Sequence, residues 1–377
     1  MKYCSICLQP DTRPNGYLTK RGICPACNYF NELKNVDWDE RYYQLQELIK
    51  KFPRNKGQYF DCIIGVSGGK DSTRQALWVR DKLKLNPLLV CFSYPPEQVT
   101  QRGVDNLSNL IELGFDTLVV SSEPQTWKKS LKAAFLQFTN WCKASELALM
   151  ASVPKIAIRY KIPLILWGEN PGLQLGDMKT LGKYGYDGNN LRNLNTLAGG
   201  DVDWLIKSGL TNDNLISFLY PSPSEFDESN IQIVYLGWFW KDWTGMNNAM
   251  YSLVNGLQVR NDTVKNTGDI AGVNALDEDW VTLNQMIKYY KYGFGRVSDH
   301  INEAIRSKII TREEGIELVE KYDGSCGDQY IKSFCDYINI SIKEFWANVY
   351  NSVNKDLFEI DYSGKIIKKF KVGKGLT

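Results

Sequence analysis

The chain has 377 residues, 43% hydrophobic and 23% charged, which allows a sizeable core and argues against wholesale disorder. Its 45 basic and 43 acidic residues leave a net charge of +2, so nucleic acid is not an expected partner. No apolar run reaches the length of a membrane span and no signal-peptide pattern is visible, so we expect a cytoplasmic protein with no membrane partner. In that compartment the nine cysteines should be thiols or metal ligands rather than disulfides.

Four cysteines near the N-terminus have the spacing of a metal site. Cys4, Cys7, Cys24 and Cys27 form two C-x2-C pairs separated by 16 residues. This spacing is typical of a zinc ribbon, in which four thiolates close a tetrahedral shell around a structural Zn²⁺. The alternative is a set of free or redox-active cysteines. An amphipathic helix over residues 36–52 follows, and residues 1–52 are predicted to form a zinc-binding module with a linker helix.

From residue 61 the pattern alternates between short apolar runs and helical segments. Strands are predicted at 61–65, 88–92, 117–120, 162–167 and 231–236. This alternation predicts an α/β fold with a parallel, Rossmann-like sheet covered by helices, which we assign to residues 53–245. Ligands of such sheets bind at the carboxyl ends of the strands, so the residues that follow each strand are the candidates for a site.

The first strand runs into a glycine turn and then into a helix. Gly68 and Gly69 allow the backbone to approach an anion, Lys70 adds a positive charge, and Ser67 and Ser72 add hydroxyl donors. The N–H groups that begin a helix have no internal partners, and the helix dipole adds positive character there. The segment is therefore predicted to bind phosphate, the alternative being an ordinary glycine turn before a helix.

The sequence Ser67-Gly-Gly-Lys-Asp-Ser72 fits neither the P-loop nor the dinucleotide fingerprint. It resembles the pyrophosphate loop (PP-loop) of the ATP pyrophosphatases, which have an adenine nucleotide alpha hydrolase-like fold. The resemblance implies that ATP is bound through its β- and γ-phosphates by residues 67–72. It also implies attack of a substrate oxygen on the α-phosphate, which gives an adenylate and pyrophosphate.

Two further strand ends carry polar side chains. Tyr94 follows the second strand and is a candidate contact for adenine or ribose. Glu169 and Asn170 follow the fourth, where Glu169 is a candidate ligand for Mg²⁺ and Asn170 a candidate substrate contact, the alternative being an ordinary surface turn. The loop 171–200, rich in glycine and asparagine, is either an active-site lid or an uninvolved excursion.

Residues 246–377 are predicted to be mainly helical. The single histidine, His300, lies beside Arg296 and Asp299 in a turn flanked by glycines, where Arg296 and His300 are candidate contacts for substrate or phosphate. A lone histidine would otherwise be structural. The basic tail 365–374 is expected to be solvated surface.

Segments along nearly the whole chain resemble the N-acetyl sugar amidotransferases, enzymes of bacterial O-antigen and nonulosonic acid biosynthesis. The matching segments are 4–7, 10–14, 24–27, 37–38, 66–72, 109–116, 167–170, 293–300, 310–314 and 322–324.

This resemblance implies conversion of an acetamido group on a nucleotide-linked sugar into an acetamidino group. ATP would adenylate the amide oxygen, and ammonia would then displace AMP. Lys70 would stabilise the pyrophosphate, and Asp71 and Glu169 would hold Mg²⁺. No glutaminase is visible in the sequence, so the resemblance implies that separate glutaminase and cyclase-like subunits supply the ammonia.

Two other functions remain open on the sequence. Enzymes that thiolate tRNA also join a PP-loop to cysteine pairs and adenylate a base carbonyl, although the near-zero net charge and the lack of a further cysteine pair count against this function. A non-catalytic scaffold that binds a nucleotide is the second, and the intact PP-loop sequence argues against it.

Overall fold

The computed structural model describes residues 1–54, 56–182 and 184–376. Its centre is a parallel sheet of five strands, as the sequence predicts: β1 (Cys62–Gly65), β2 (Pro87–Phe92), β3 (Thr117–Val120), β4 (Leu164–Trp167) and β5 (Gln232–Tyr235). The strand order is β3-β2-β1-β4-β5, and every neighbouring pair is parallel.

Sixteen α-helices are present in the described residues. They are α1 (Pro25–Glu32), α2 (Trp38–Lys50), α3 (Lys70–Asp81), α4 (Gln101–Glu112), α5 (Pro124–Phe138), α6 (Cys142–Tyr160), α7 (Pro171–Gln174), α8 (Asp203–Ile206), α9 (Pro223–Glu228), α10 (Gly245–Val254), α11 (Val264–Thr267), α12 (Val281–Tyr292), α13 (Arg296–Arg306), α14 (Arg312–Tyr322), α15 (Asp328–Ile338) and α16 (Ile342–Ser352).

Both faces of the sheet are buried. Ile64 and Leu89 belong to the core on one face, together with helix residues such as Ala76, whereas Ile63 and Leu88 belong to the core on the other face. Because successive side chains of a strand point to opposite faces, a strand buried on both sides must be apolar at every position. This requirement explains why the strands were recognisable from the sequence as short continuous apolar runs.

The strand order reverses direction at β1, which lies between β2 and β4. In an open parallel sheet the crevice at such a reversal is the usual binding position, because the connections on its two sides lead away from each other. The loop that follows β1 is therefore at the switch point of this sheet.

The cysteine module packs on the C-terminal helices. The four cysteines and Leu8 share a buried cluster with Val297 and Ile301 of α13. The backbone N–H of Leu8 donates to Oδ1 of Asn302, at 2.8 Å. The module is therefore held beside the helix that carries Arg296 and His300.

The C-terminal region is mainly helical, as predicted, but it ends in short strands that were not predicted. After α16 the chain forms two short hairpins, made by strands β6 (Phe358–Ile360), β7 (Ile366–Lys368), β8 (Phe370–Lys371) and β9 (Gly375–Leu376). The tail is not simply solvated surface, because Phe370 and Val372 are buried in the cluster around the cysteine module. The alternation of lysines with apolar residues in this tail is the strand pattern that the prediction missed.

Helix α10 was also missed by the sequence analysis. It packs along α3, and the hydroxyl of Ser252 donates to the backbone carbonyl of Lys70 at 2.6 Å. The predicted domain limits of 52/53 and 245/246 remain predictions. Among the described residues, no helix combines the length and apolar character needed to cross a bilayer.

Candidate active site

The loop between β1 and α3 has the backbone form of a phosphate site. Gly68 has a φ of +76°, and a Cβ there would lie 2.9 Å from the backbone nitrogen of Leu107, so only glycine fits. Gly69 is the N-cap of α3 and offers no capping side chain. The first N–H groups of α3 consequently have no side-chain cap and can bind an anion.

Lys70 and Asp71, the first two residues of α3, are held by side chains from the C-terminal part of the chain. Nζ of Lys70 donates to Oδ2 of Asp71 at 2.8 Å and to Oδ1 of Asn274 at 2.9 Å. Nδ2 of Asn248 donates to Oδ1 of Asp71 at 2.6 Å. The ammonium group is therefore held by partners from two segments of the chain, and Asn248, from a third segment, holds Asp71 in turn.

The loop opens onto a cavity of about 390 Å³, which we call the central cavity. One wall is formed by Ser67 and residues 69–72, a second by residues 168–169 after β4, and a third by residues 273–277 and Arg296. Phosphate donors, a carboxylate and a guanidinium thus face one space at the switch point of the sheet. Most of the predicted site residues meet here, although Gly68 supports the loop from behind rather than lining the cavity.

Arg296 is the cation of the central cavity that lacks a direct protein partner. No residue of the described ranges forms a hydrogen bond or an ion pair with its guanidinium. Burial lowers its pKa, whereas Asp269 and Glu278 act in the opposite direction. A guanidinium without a protein partner, beside a phosphate loop, is suited to bind a phosphoryl oxygen of a ligand.

Glu169 lies across the central cavity from the loop. Burial, with a further contribution from Asp71, raises the pKa of Glu169 to about 7. A carboxyl group whose pKa is raised by a neighbouring carboxylate is stabilised in its charged form by a bound cation. The residues are therefore of the kind that would hold Mg²⁺.

Glu278 follows Asp277 of the cavity wall in the sequence, and its carboxyl group is buried. Burial, and secondly Asp277, raises the pKa of Glu278 to about 8. The carboxyl group accepts the N–H of Val281 at 3.0 Å and so caps the start of α12. At neutral pH it is therefore mainly protonated.

Glu278→Gln should stabilise the protein at high pH and have little effect at low pH. The raised pKa means that the folded protein keeps a proton that the unfolded chain loses from about pH 4 upward, so stability falls as the pH rises towards 8. A glutamine keeps an acceptor for Val281 but carries no charge. We expect its melting temperature at pH 8.5 to exceed that of the wild type by about 2–4 °C, with no gain at pH 4.5. The exposed Glu97→Gln is the control, and an equal shift at both pH values would contradict the assignment.

His300 faces a neighbouring cavity of about 210 Å³, the side cavity, which shares Lys70, Asp71 and Asn274 with the central cavity. Burial lowers the pKa of His300 to about 4, so the ring is neutral at pH 7. The predicted turn around His300 is wrong, because α13 begins at Arg296. The carboxylate of Asp323 accepts from the N–H of Gly295 at 2.8 Å and thus caps the helix from a distant segment.

Besides Gly68 and His300, two further predicted site residues, Tyr94 and Asn170, do not line the central cavity. Tyr94 packs its ring 5.9 Å from that of Trp127, and Phe92 lines the cavity instead. Asn170 is 1% exposed, caps α7 and donates to the carbonyl of Gly237 at 3.2 Å. Conversely, Asn248 and Asn274 were missed, and nothing in their local sequence marks them.

The four N-terminal cysteines form a compact group whose sulfur atoms all lie within 4.8 Å of one another. All four side chains are buried, and backbone N–H groups point at the sulfurs, including that of Cys24 towards Cys4 at 3.3 Å. This donor set fits a tetrahedral thiolate site with no open position, which suits a structural metal ion. The predicted ligands are thus brought together.

Comparison with known families gives a match in the C-terminal part. Residues 271–371 match the family model described as LPS biosynthesis protein WbpG-like, C-terminal domain. The matched segment, which includes Arg296 and His300, is therefore similar to the C-terminal domain of WbpG-like LPS biosynthesis proteins. The resemblance to enzymes of bacterial surface glycans is confirmed at this level.

Other similarities are partial. An uncharacterized protein of Methanocaldococcus jannaschii is 28% identical over 109 residues, which are 28% of this chain and span only 38% of the length of that relative. Three similar solved structures have TM-scores below 0.5. NMN synthetase from Francisella tularensis is 15% identical, with a TM-score of 0.29 and a match that covers 60% of this chain and 90% of that chain. The U34-tRNA thiolase NcsA from Methanococcus maripaludis with its 4Fe–4S cluster is 12% identical, with a TM-score of 0.30 and coverages of 82% and 91%. NH3-dependent NAD synthetase from Campylobacter jejuni is 17% identical, with a TM-score of 0.27 and coverages of 60% and 100%.

Proposed function

We propose that the protein is an ATP-dependent amidotransferase that converts an acetamido group of a bacterial surface sugar into an acetamidino group. The observation that carries this proposal is the PP-loop sequence at the switch point of the sheet, with the pair Lys70–Asp71 fixed at the edge of the central cavity. The WbpG-like domain that completes the cavity supports a substrate from surface-glycan biosynthesis.

The reaction has two steps. The amide oxygen of the sugar attacks the α-phosphorus of ATP, the bond to the β-phosphate breaks, and pyrophosphate leaves with an O-adenylyl imidate formed. Ammonia then adds to the imidate carbon, the bond from that carbon to the AMP oxygen breaks, and the amidine keeps the remaining proton as an amidinium ion. Adenylation is needed because an amide oxygen is otherwise a poor leaving group.

Four charged residues of the central cavity have a role in this scheme. Lys70 and the N–H groups of α3 stabilise the departing pyrophosphate, and Arg296 binds a phosphoryl oxygen of the nucleotide. Asp71 and Glu169 would hold Mg²⁺, which would supply charge neutralisation of the phosphates. The cysteine module would hold Zn²⁺ in a structural role. Separate glutaminase and cyclase-like subunits would deliver the ammonia.

Thiolation of tRNA is the alternative function. An assay of which acceptor AMP formation depends on distinguishes it from the proposed amidotransferase. The five cysteines outside the metal group include four buried ones, and none of the five lines the central cavity. Adenylation should therefore depend on an acetamido sugar. Formation of AMP and pyrophosphate that depends on tRNA, with an affinity that falls steeply with salt, would instead favour thiolation.

A further inference from the structure

A third cavity, of about 380 Å³, lies where four parts of the chain meet, and we call it the lateral cavity. Its walls are residues 13–16 between the cysteine pairs, Glu146 and Met150 of α6, residues 175–177 and 194–196, and the end of α12 with Phe294. The loop 171–200, left open by the sequence analysis, thus contributes two of its walls.

One wall of the lateral cavity, formed by Arg13 and Lys288, favours an acidic group on a ligand. Arg13 and Lys288 both pair with one carboxylate, that of Asp299, Lys288 at 2.6 Å. Two cations against one anion leave a net positive charge at the wall formed by Arg13 and Lys288, whereas Glu146 and Asp177 add carboxylates to the other walls. Nε of Arg13 is buried and has no hydrogen-bond partner among the described residues, so a donor is available to a ligand oxygen.

The remaining lining suits a sugar ring. Tyr292 presents an aromatic ring to the cavity, whereas the neighbouring ring of Phe294 is 1% exposed and is covered by the guanidinium of Arg13 at 4.4 Å. At the mouth, the amide of Asn15 donates to that of Asn195 at a long 3.5 Å, so both amides can turn to hydroxyl groups. Apolar and aromatic walls with a few convergent polar groups are typical of a small-molecule site.

The lateral cavity adjoins the reacting centre. Met150 borders both it and the central cavity, and Glu146 is close enough to contribute to the raised pKa of Glu169. Methionine is the apolar side chain that adjusts most readily to a neighbouring ligand. A ligand group would therefore have to pass Met150, the side chain that both cavities share, to reach the central cavity from the lateral cavity.

We propose that the lateral cavity binds the acceptor sugar, an acetamido pyranose that carries a negatively charged group. This inference rests on the proposed function. The negative group, a diphosphate or a carboxylate, would lie by Arg13 and Lys288, with the ring against Tyr292. The acetamido group would point towards the central cavity. The loop 13–16 then makes the cysteine module a wall of the acceptor site in addition to a structural unit.

The test is to block the mouth of the cavity. Asn195→Trp places a large ring at an exposed position of the mouth, so the core is not disturbed. We expect the KM for the acceptor to rise at least about tenfold, with the KM for ATP unchanged. Asn193→Trp, also exposed and outside the cavity, is the matched control. Tyr292→Leu should weaken acceptor binding in the same direction, and an unchanged KM for the acceptor in both cavity variants would overturn the proposal.

Direct binding separates this proposal from the proposed function. Saturation-transfer NMR with UDP-N-acetylglucosamine and with N-acetylneuraminic acid tests a diphosphate and a carboxylate as the negative group. A signal with either probe that is lost in Asn195→Trp and kept in Asn193→Trp supports the site, whether or not amidine is formed. A signal kept in Asn195→Trp, or no signal with the wild type, overturns it. Binding without any turnover would contradict only the proposed function.

Discussion

Lys70→Ala is expected to lower the rate of pyrophosphate release by about 10²–10³-fold, which corresponds to roughly 3–4 kcal/mol of transition-state stabilisation. The side chain is fixed by Asp71 and Asn274, so its charge is already in place before ATP binds. Such preorganised charge stabilises a leaving group without the cost of rearrangement during the reaction. Pyrophosphate release in the presence of an acetamido sugar is the quantity to measure.

The control for this prediction is Lys82→Ala. Lys82 is an exposed lysine at the other end of the same helix, and removing it changes the net charge equally. It should keep the wild-type rate, and both variants should keep the wild-type melting temperature within a few degrees. Full activity of Lys70→Ala would remove the PP-loop from the mechanism.

Cys24→Ser, or removal of the metal by a chelator, is expected to unfold the N-terminal module. Structural zinc sites bind with apparent free energies of about 10–16 kcal/mol, and much of that free energy supports folding. Without the metal, four buried cysteines would lose the ion that holds the two C-x2-C pairs together. Because the module packs on α13 and borders the lateral cavity, acceptor binding should be lost with it.

Elemental analysis checks this prediction. The wild type should contain about one zinc per chain and be colourless, since a four-thiolate shell holds one ion. Cys326→Ser, at a partly exposed cysteine outside the group, should leave the metal content unchanged. A protein free of metal that nevertheless folds its N-terminal module would contradict the assignment. If the protein contained iron and absorbed visible light, the site would be an iron–sulfur cluster and not a zinc site.

The parts of the fold that were predictable are those encoded locally. The strands and the glycine turn after β1 were recognisable because a buried strand needs a continuous apolar run and a backbone with a φ of +76° at residue 68 needs glycine. The cysteine group was equally readable from its spacing. Asn248 and Asn274 were not, because they reach Lys70 and Asp71 from about 180 and 200 residues away and have ordinary neighbours in the sequence.

Side-chain direction was the other source of error. Tyr94 lies two residues past the end of β2, and the strand-end rule gives its position in the sheet but not its orientation. Its neighbour Phe92 faces the central cavity while Tyr94 packs in the core. Arg296 was found from its glycine-flanked context, although the structure shows the first turn of a helix rather than a loop.

The most direct measurement combines the protein, ATP, Mg²⁺ and ¹⁵N-ammonium with a panel of acetamido-sugar nucleotides, and reads the products by mass spectrometry. A high concentration of ammonium should replace the partner subunits. We expect a sugar that gains ¹⁵N in place of oxygen, with AMP and pyrophosphate formed in equal amounts. ATP turnover that depends on one of the sugars but leaves every sugar unlabelled would contradict amidine formation.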